Sequence, residues 1–298
     1  MGIEITGTSV KVVAVSGRGT DRSILFTKTA DLPVGMMNEV YAMPNISDFF
    51  HVSDVLRECL TDAPSGIRRA ALSLPDSVFR VQTIDFDELP GKAEDQERLI
   101  RWRLEKGAAF DIAETVLRYQ VLGRRDKGFT VLSCVAKQAV ISQYESLLIG
   151  LGLDPWAVGP SSFHALNFYS SYLMKKSTGY ALAHIADDFF ATIIMETGGV
   201  TFYRYKDVKR GSAEAIRSRL MREIDDSLHF YTHINPLKQS KIQDLYLTGE
   251  SVVSPDLAEG LKTMTSLNVE VLLPAVAALS VQSMGPDMAA ALGAGSSL

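Results

Sequence analysis

Residues 2–11 read GIEITGTSVK. An alternating stretch enters the small-residue tetrad Thr6–Ser9, and another alternating stretch leaves it. That is the pattern of two strands joined by a tight turn. Small residues at such a turn also let backbone N–H groups come close to an anion. The same ten residues therefore fit either an ordinary hairpin or a phosphate cradle, and the surrounding chain must decide.

The hairpin opens a longer pattern. VKVVAV leads through SGRGTD to a third strand, SILFTK. A helix over 47–60 follows, with Phe49, Val52, Leu56, Cys59 and Leu60 on one face and Ser47 as its N-cap. AALSLP (70–75) then reads as a short buried strand. The same order returns from residue 180: YALAHI, the turn ADDF, FATIIME, the turn TGG and VTFYRYKDV. A helix over 212–233 carries Ala213, Ile216, Leu220, Ile224, Leu228 and Tyr231 on one stripe, with Pro236 just beyond it. DLYLTG (244–249) closes the repeat. A duplicated strand–strand–strand–helix–strand unit points to two related lobes.

Between the two units, 78–160 reads as an insert of βαββα type. FRVQTIDFDELP is its first strand, and AEDQERLIRWRLEKG is a helix with acids in its first turn, as the helix dipole favours. VLRYQVLG and FTVLSCVAK form a hairpin about Gly123–Gly128. AVISQYESLLIGLG is a second helix with Val140, Tyr144, Leu147, Leu148 and Leu151 inward. Domain bounds follow: 1–178 as the first lobe carrying the insert, and 179–298 as the second. PDMAAALGAGSSL (286–298) reads as a last helix packing back on the first lobe.

Composition narrows the classes. Of 298 residues, 46% are hydrophobic and 22% charged, which supplies a large core. The formal net charge is -5, the opposite of the basic surface nucleic acid demands. Cys59 and Cys134 fit no metal or redox spacing and read as reduced thiols of a cytosolic protein. The longest apolar run, VLLPAVAALSV (271–281), is shorter than the roughly 20 residues a bilayer needs and contains Pro274. With the first strand starting at residue 2, no leader is expected, and membrane association is expected only through a partner.

At this point a family resemblance enters. LPGKAEDQERLIRWRLEKGAAFDIAETVLRYQVLG (89–123) and VAKQAVISQYESLLIGLGLDPWAVGPSSFHALNFY (135–169) resemble the PilM family of type IV pilus assembly proteins. The GspL-type and MshI-type secretion and pilus components share the layout. The resemblance implies an α/β, actin-like (ribonuclease H-like) two-lobed fold, with Mg-ATP or ADP in the cleft between lobes. It assigns Glu4, Thr6, Gly7, Thr8, Ser9 and Lys11 to the first phosphate hairpin, where Glu4 replaces an Asp and Thr6 a Gly. In the second hairpin His184 stands where the family has an acid and Ala186 where it has a glycine. A one-residue shift would put Asp187 in the acidic place. Phe189 and Phe190 add bulk where phosphates would approach, and Gly249 and Glu250 form the nucleoside-side loop. These departures imply a weakened or lost nucleotide function. An active ATPase or sugar-kinase-like enzyme is the alternative, and a filament-forming protein a third.

The resemblance also implies a role: a cytoplasmic adaptor whose groove, between insert and first lobe, holds the N-terminal cytoplasmic peptide of a PilN-like inner-membrane protein. An assembly motor ATPase is a further expected partner. Arg101, Trp102, Glu105 and Tyr119 are the expected groove walls. Trp102 could instead belong to the insert core. His184 reads as a structural histidine. His229 and His233, at i,i+4 spacing, lack a third ligand pattern, and Asp225–Asp226 reads as a solvated face.

Overall fold

A computed structural model describes residues 1–17, 23–107, 112–125, 128–176, 179–197, 199–208, 211–234, 242–250, 254–277 and 284–297. The Arg18–Asp21 part of the SGRGTD turn, Gly198 of TGG, the tip of the insert hairpin at 126–127, and Pro236 lie outside the described residues.

Alternation produces the expected meander: β1 (Gly2–Ile5), β2 (Ser9–Ser16) and β3 (Ser23–Asp31), antiparallel, with Glu4 facing Lys11 across the ladder. Helix α1 (Phe49–Leu60) starts one residue later than expected, because Asp48 and not Ser47 is its cap; the Asp48 carboxylate accepts from His51 N at 3.0 Å. Strand β4 (Arg69–Leu74) lies parallel to β1. A 3-10 turn at Asp76–Val78 leads into β5 (Arg80–Phe86), α2 (Ala93–Glu105), β6 (Thr115–Arg125) and β7 (Gly128–Lys137). These strands form a separate sheet in the order β5-β7-β6. Ile100, Leu104, Leu117, Val131 and Val135 make its own small core beneath α2.

The insert is smaller than its sequence suggests. Helix α3 (Gln138–Gly150) turns Val140, Tyr144, Leu147 and Leu148 into the core that holds Ile3, Ile5 and Leu72. The next segment, β8 (Asp154–Pro160), pairs parallel with β4 in the first sheet. Both therefore belong to the first lobe rather than to a βαββα insert ending at 160. Neighbouring parallel strands need a crossover, normally helical. Here α3 is that helix, and the β5–β7 piece interrupts the crossover before it.

Helix α4 (Ser161–Lys176) then leads to the second unit: β9 (Tyr180–Ile185), β10 (Phe189–Glu196), β11 (Gly199–Asp207), α5 (Ala213–Ile234), β12 (Asp244–Gly249), α6 (Pro255–Thr265) and β13 (Asn268–Val271). The first sheet runs β3-β2-β1-β4-β8 and the second β11-β10-β9-β12-β13. The duplication is thus one of topology: a meander, a helix, a parallel strand, then a second parallel strand. Residues 161–176, 255–265 and 268–271 carry elements that no pattern above identified.

Between the sheets, Phe168, Tyr169 and Leu173 of α4 share one apolar cluster with Val13 of the first sheet and Tyr180, Leu182 and Ile193 of the second. The last helix, α7 (Ala289–Ser296), packs on α4, β1, β2 and β4. Its sequence AAALGAGS leaves little side chain, so backbone meets backbone. A Cβ on Gly293 would stand 1.9 Å from the His164 carbonyl oxygen. Among the described residues no helix is long and apolar enough to cross a membrane.

Since α7 and α4 touch through their main chains, Gly293→Ala should overpack the contact. It is expected to destabilise by about 3 kcal/mol and to lower the thermal midpoint. An unchanged midpoint would mean that α7 does not dock as described.

Candidate functional site

The β1–β2 turn closes on itself. Thr6 N donates to Ser9 O at 2.9 Å, and Thr6 Oγ1 accepts from Ser9 N at 3.0 Å. The Thr6 hydroxyl is therefore spent tightening its own loop, in the manner of a Ser/Thr turn. Thr8 Oγ1 donates to Asp187 Oδ2 at 3.0 Å, so the first hairpin bonds the second directly. The Gly7 N–H is directed at the carboxyl of Glu39.

Beneath this turn lies a buried charge cluster. Lys11 is 3% exposed. Its Nζ donates to Glu250 Oε1 at 2.7 Å and to the Asp287 carbonyl at 3.0 Å; Glu4 Oε2 lies 3.8 Å away and Asp287 Oδ2 3.7 Å away. Burial works against the charge on Lys11, but Glu4 and Glu250 outweigh it and hold its pKa above the ordinary value. Burial pushes Glu4 up to about 7, partly offset by Lys11. Lys11, expected in the first phosphate hairpin, is thus a cation already neutralised from three segments of the chain.

The second hairpin settles the register question. His184 faces Thr248 across β9 and β12, as Glu4 faces Ser73 across β1 and β4. His184 therefore holds the position equivalent to Glu4, and Asp187 lies in the turn beyond the strand. Burial, aided by the Lys11 charge, pushes the His184 pKa down to about 3, so the ring is neutral. Phe190 does not obstruct the cleft; it packs in the second-lobe core, whereas Phe189 lines the cleft wall. Gly249, at φ +122°, sits so near Ile185 that a Cβ would be 1.9 Å from its carbonyl oxygen. Glu250 N donates to that same oxygen at 2.7 Å.

Thr6, Gly7, Thr8, Asp187 and Glu250 come together around a cavity of about 680 Å³. Ser9 lies in the turn, Glu4 and Lys11 beneath it, and Gly249 beside it. Asp188, beside Asp187 in the same turn, lines the cavity too; Glu39 and Asp207 also line it and were missed, because they come from a loop without periodicity and a strand end. Burial and the neighbouring Asp188 carboxyl raise Glu39 well above the carboxylate range; burial first of all raises Asp188. The lining holds five carboxyl groups and no Lys or Arg. A triphosphate would meet repulsion there unless a metal intervened. Among the described residues no three metal-ligating side chains converge, the His229–His233 region included.

A second cavity, about 460 Å³, opens between the insert sheet and the first lobe. Val81, Val116, Arg118 and Cys134 line it from the insert; Glu145, Trp156 and Phe163 line it from the lobe. The four residues expected there lie elsewhere. Alternation along β6 sends Val116 and Arg118 to the groove and Leu117 and Tyr119 to the α2 side. The Tyr119 hydroxyl donates to the Ala93 carbonyl at 3.1 Å. Arg101 Nε donates to Glu97 at 2.9 Å, and Nη1 to the Ile112 carbonyl at 3.3 Å. Trp102 is 50% exposed, outside the insert core, with Lys106 Nζ 3.6 Å from its ring centre; Glu105 is exposed on the same helix.

No family model matches this sequence, and no curated protein matches it. Solved structures do. The structure described as the PilM-PilN type IV pilus biogenesis complex aligns with a TM-score of 0.84 at 20% identity, over 99% of this chain and 96% of that one. A Bacteroides thetaiotaomicron protein of actin-like ATPase fold and unknown function aligns at 0.51 and 14% identity, over 97% and 93%. The cytoplasmic domain of EpsL, an inner-membrane component of the Vibrio cholerae type II secretion system, aligns at 0.51 and 12%, over 82% and 79%. At these identities the likeness speaks to architecture: the chain has the actin-like α/β fold.

The Glu4–Lys11 cluster has a pH signature. The unfolded chain releases the Glu4 proton near 4.5, and the folded chain holds it to about 7. The folded state binds more protons in between, so stability from this group is lost as pH rises through that window. Glu4→Gln removes the loss. Urea unfolding at about pH 5 and about pH 8 should show the variant gaining about 3 kcal/mol on the parent. A constant difference would mean Glu4 is ionised throughout.

Proposed function

We propose that this chain is a scaffold of a type IV pilus or related secretion assembly platform. In this reading its groove holds an extended N-terminal cytoplasmic segment of a PilN-like inner-membrane protein. The chain is then cytoplasmic and reaches the membrane through that partner. The observation that carries the reading is the open, largely apolar groove beside Arg118 and Trp156, in a chain that aligns over 99% of its length with PilM in a PilM–PilN complex. An extended peptide needs apolar pockets for alternate side chains and a few fixed polar contacts. Arg69 stacks over the Trp156 ring at 4.1 Å, which holds the indole in place before a partner arrives. An assembly motor ATPase is a second partner on this reading, and residues 1–178 and 179–298 act as its two lobes.

Chemistry in the cleft is secondary here. With Lys11 neutralised and five carboxyl groups lining the cavity, Mg-ATP or ADP binds weakly or not at all. The protein then serves by binding rather than by turnover.

Titration calorimetry with a synthetic peptide of the partner's cytoplasmic N-terminus tests both halves. Trp156→Ala should weaken binding by about 2 kcal/mol, as for a buried aromatic anchor. Arg118→Glu should weaken it as well, while Trp102→Ala on the far face of the insert leaves it unchanged. Mg-ATP should give no thermal shift. Peptide binding that ignores Trp156 and Arg118, or steady ATP hydrolysis by the chain alone, would sink the reading.

A further inference from the structure

Asp76 is 1% exposed and stands between the two lobes. Its Oδ1 accepts from Ser162 N at 3.0 Å and Ser161 Oγ at 3.1 Å, and its Oδ2 accepts from Ser162 Oγ. These three donors belong to the first turn of α4. The fourth donor crosses to the second sheet: the Tyr203 hydroxyl of β11 bonds Asp76 Oδ2 at 2.8 Å. The Tyr203 ring rests on Phe163, centroids 5.6 Å apart. Phe163 is itself a groove wall.

The short turn that carries Asp76 touches both cavities. Pro75, just before it, lines the carboxylate cleft; Phe79, just after it, lines the groove. Strand β11 lies along the insert as well. A Cβ on its Gly199 would come 3.1 Å from Leu122 of β6, and β11 contacts β5. One side of the groove is therefore built on the seam between the lobes.

We propose that the Asp76–Tyr203 hydrogen bond is a latch through which occupancy of the groove sets closure of the two lobes. The inference rests on the reading that the groove takes the partner peptide. Breaking the latch removes one donor of four and one ring contact, while α4 keeps Asp76 satisfied. The latch itself is thus one hydrogen bond and one ring contact, a contribution on the scale a ligand can bias. An occupant packed against Phe79 and Phe163 contacts the wall in its latched position and favours that state. Linkage makes the effect reciprocal: a closed latch strengthens groove binding by the same factor by which an occupied groove strengthens the latch.

The full chain is tested with the synthetic cytoplasmic N-terminal peptide of the PilN-like partner. Amide exchange in β11 (199–207) is followed with and without peptide, and the affinity is measured for the parent and for Tyr203→Phe, which keeps the ring on Phe163. Peptide should slow β11 exchange about fivefold or more, and the variant should bind peptide about 5- to 10-fold more weakly and lose that protection. The wild-type exchange arm needs no variant, and a melting curve checks that Tyr203→Phe is folded. Normal peptide affinity in the variant, or β11 exchange indifferent to bound peptide, overturns the latch and leaves the groove reading standing. A parent chain that binds no peptide overturns the groove reading, and the latch falls with it.

Discussion

The arrangement of both lobes depends on the buried ammonium of Lys11. A charge taken out of water is tolerated only when it is paired and hydrogen-bonded. Lys11 meets that demand with groups from across the chain: Glu4 on the neighbouring strand, Glu250 after β12, and the main chain and carboxylate of Asp287. The first sheet, the second sheet and the segment leading into α7 must therefore meet at one point. Any arrangement that separates them leaves either the cation or its carboxylates buried and uncompensated. The same pairing removes from the cleft the cation that could have faced a phosphate, and the acidic lining follows as the cleft's remaining electrostatic character.

Much of this fold was legible because its signals are local. The two meanders announce themselves by alternation and turn glycines, α1, α3 and α5 by their apolar stripes, and α2 by the acids in its first turn. Legibility failed where the determinant is non-local. Whether α3 and 154–160 belong to the insert depends on which strand β8 pairs with, and periodicity cannot carry that. Helix α4 faces both sheets, so it lacks the one-sided stripe that marks a surface helix. One step of alternation separates Tyr119 from the second cavity: Arg118 and Tyr119 are neighbours in sequence and point to opposite faces of one sheet. Glu39 and Asp207 reach the cleft from segments with no repeating pattern, and only the folded chain shows them together.

The two cavities make opposite chemical offers. The cleft is lined by like charges whose mutual repulsion is eased by raised pKa values at Glu39 and Asp188. It is costly for an anion and lacks converging ligands for a metal among the described residues. The groove offers an exposed indole, an arginine and aliphatic walls, the composition found at the centre of binding surfaces. Fold likeness alone assigns neither cavity a function. The proposed binding role rests on the contrast between their linings.

A bound nucleotide in a two-lobed fold of this kind would bridge the lobes and fix their orientation. In this chain side chains already span that gap. Thr8 reaches Asp187, Lys11 reaches Glu250, and Asp76 accepts from Tyr203. The apolar cluster around Phe168 and Tyr169 supplies cohesion without direction, since hydrophobic burial scales with area and not angle. The polar bridges supply the direction, because hydrogen bonds weaken steeply when misaligned. Two of them lie at the cleft and the third behind the groove wall. The groove side is therefore where a partner can act on lobe orientation without entering the cleft. On the proposed reading, a peptide-sized contact at this flank takes the bridging part that a nucleotide would have between the lobes.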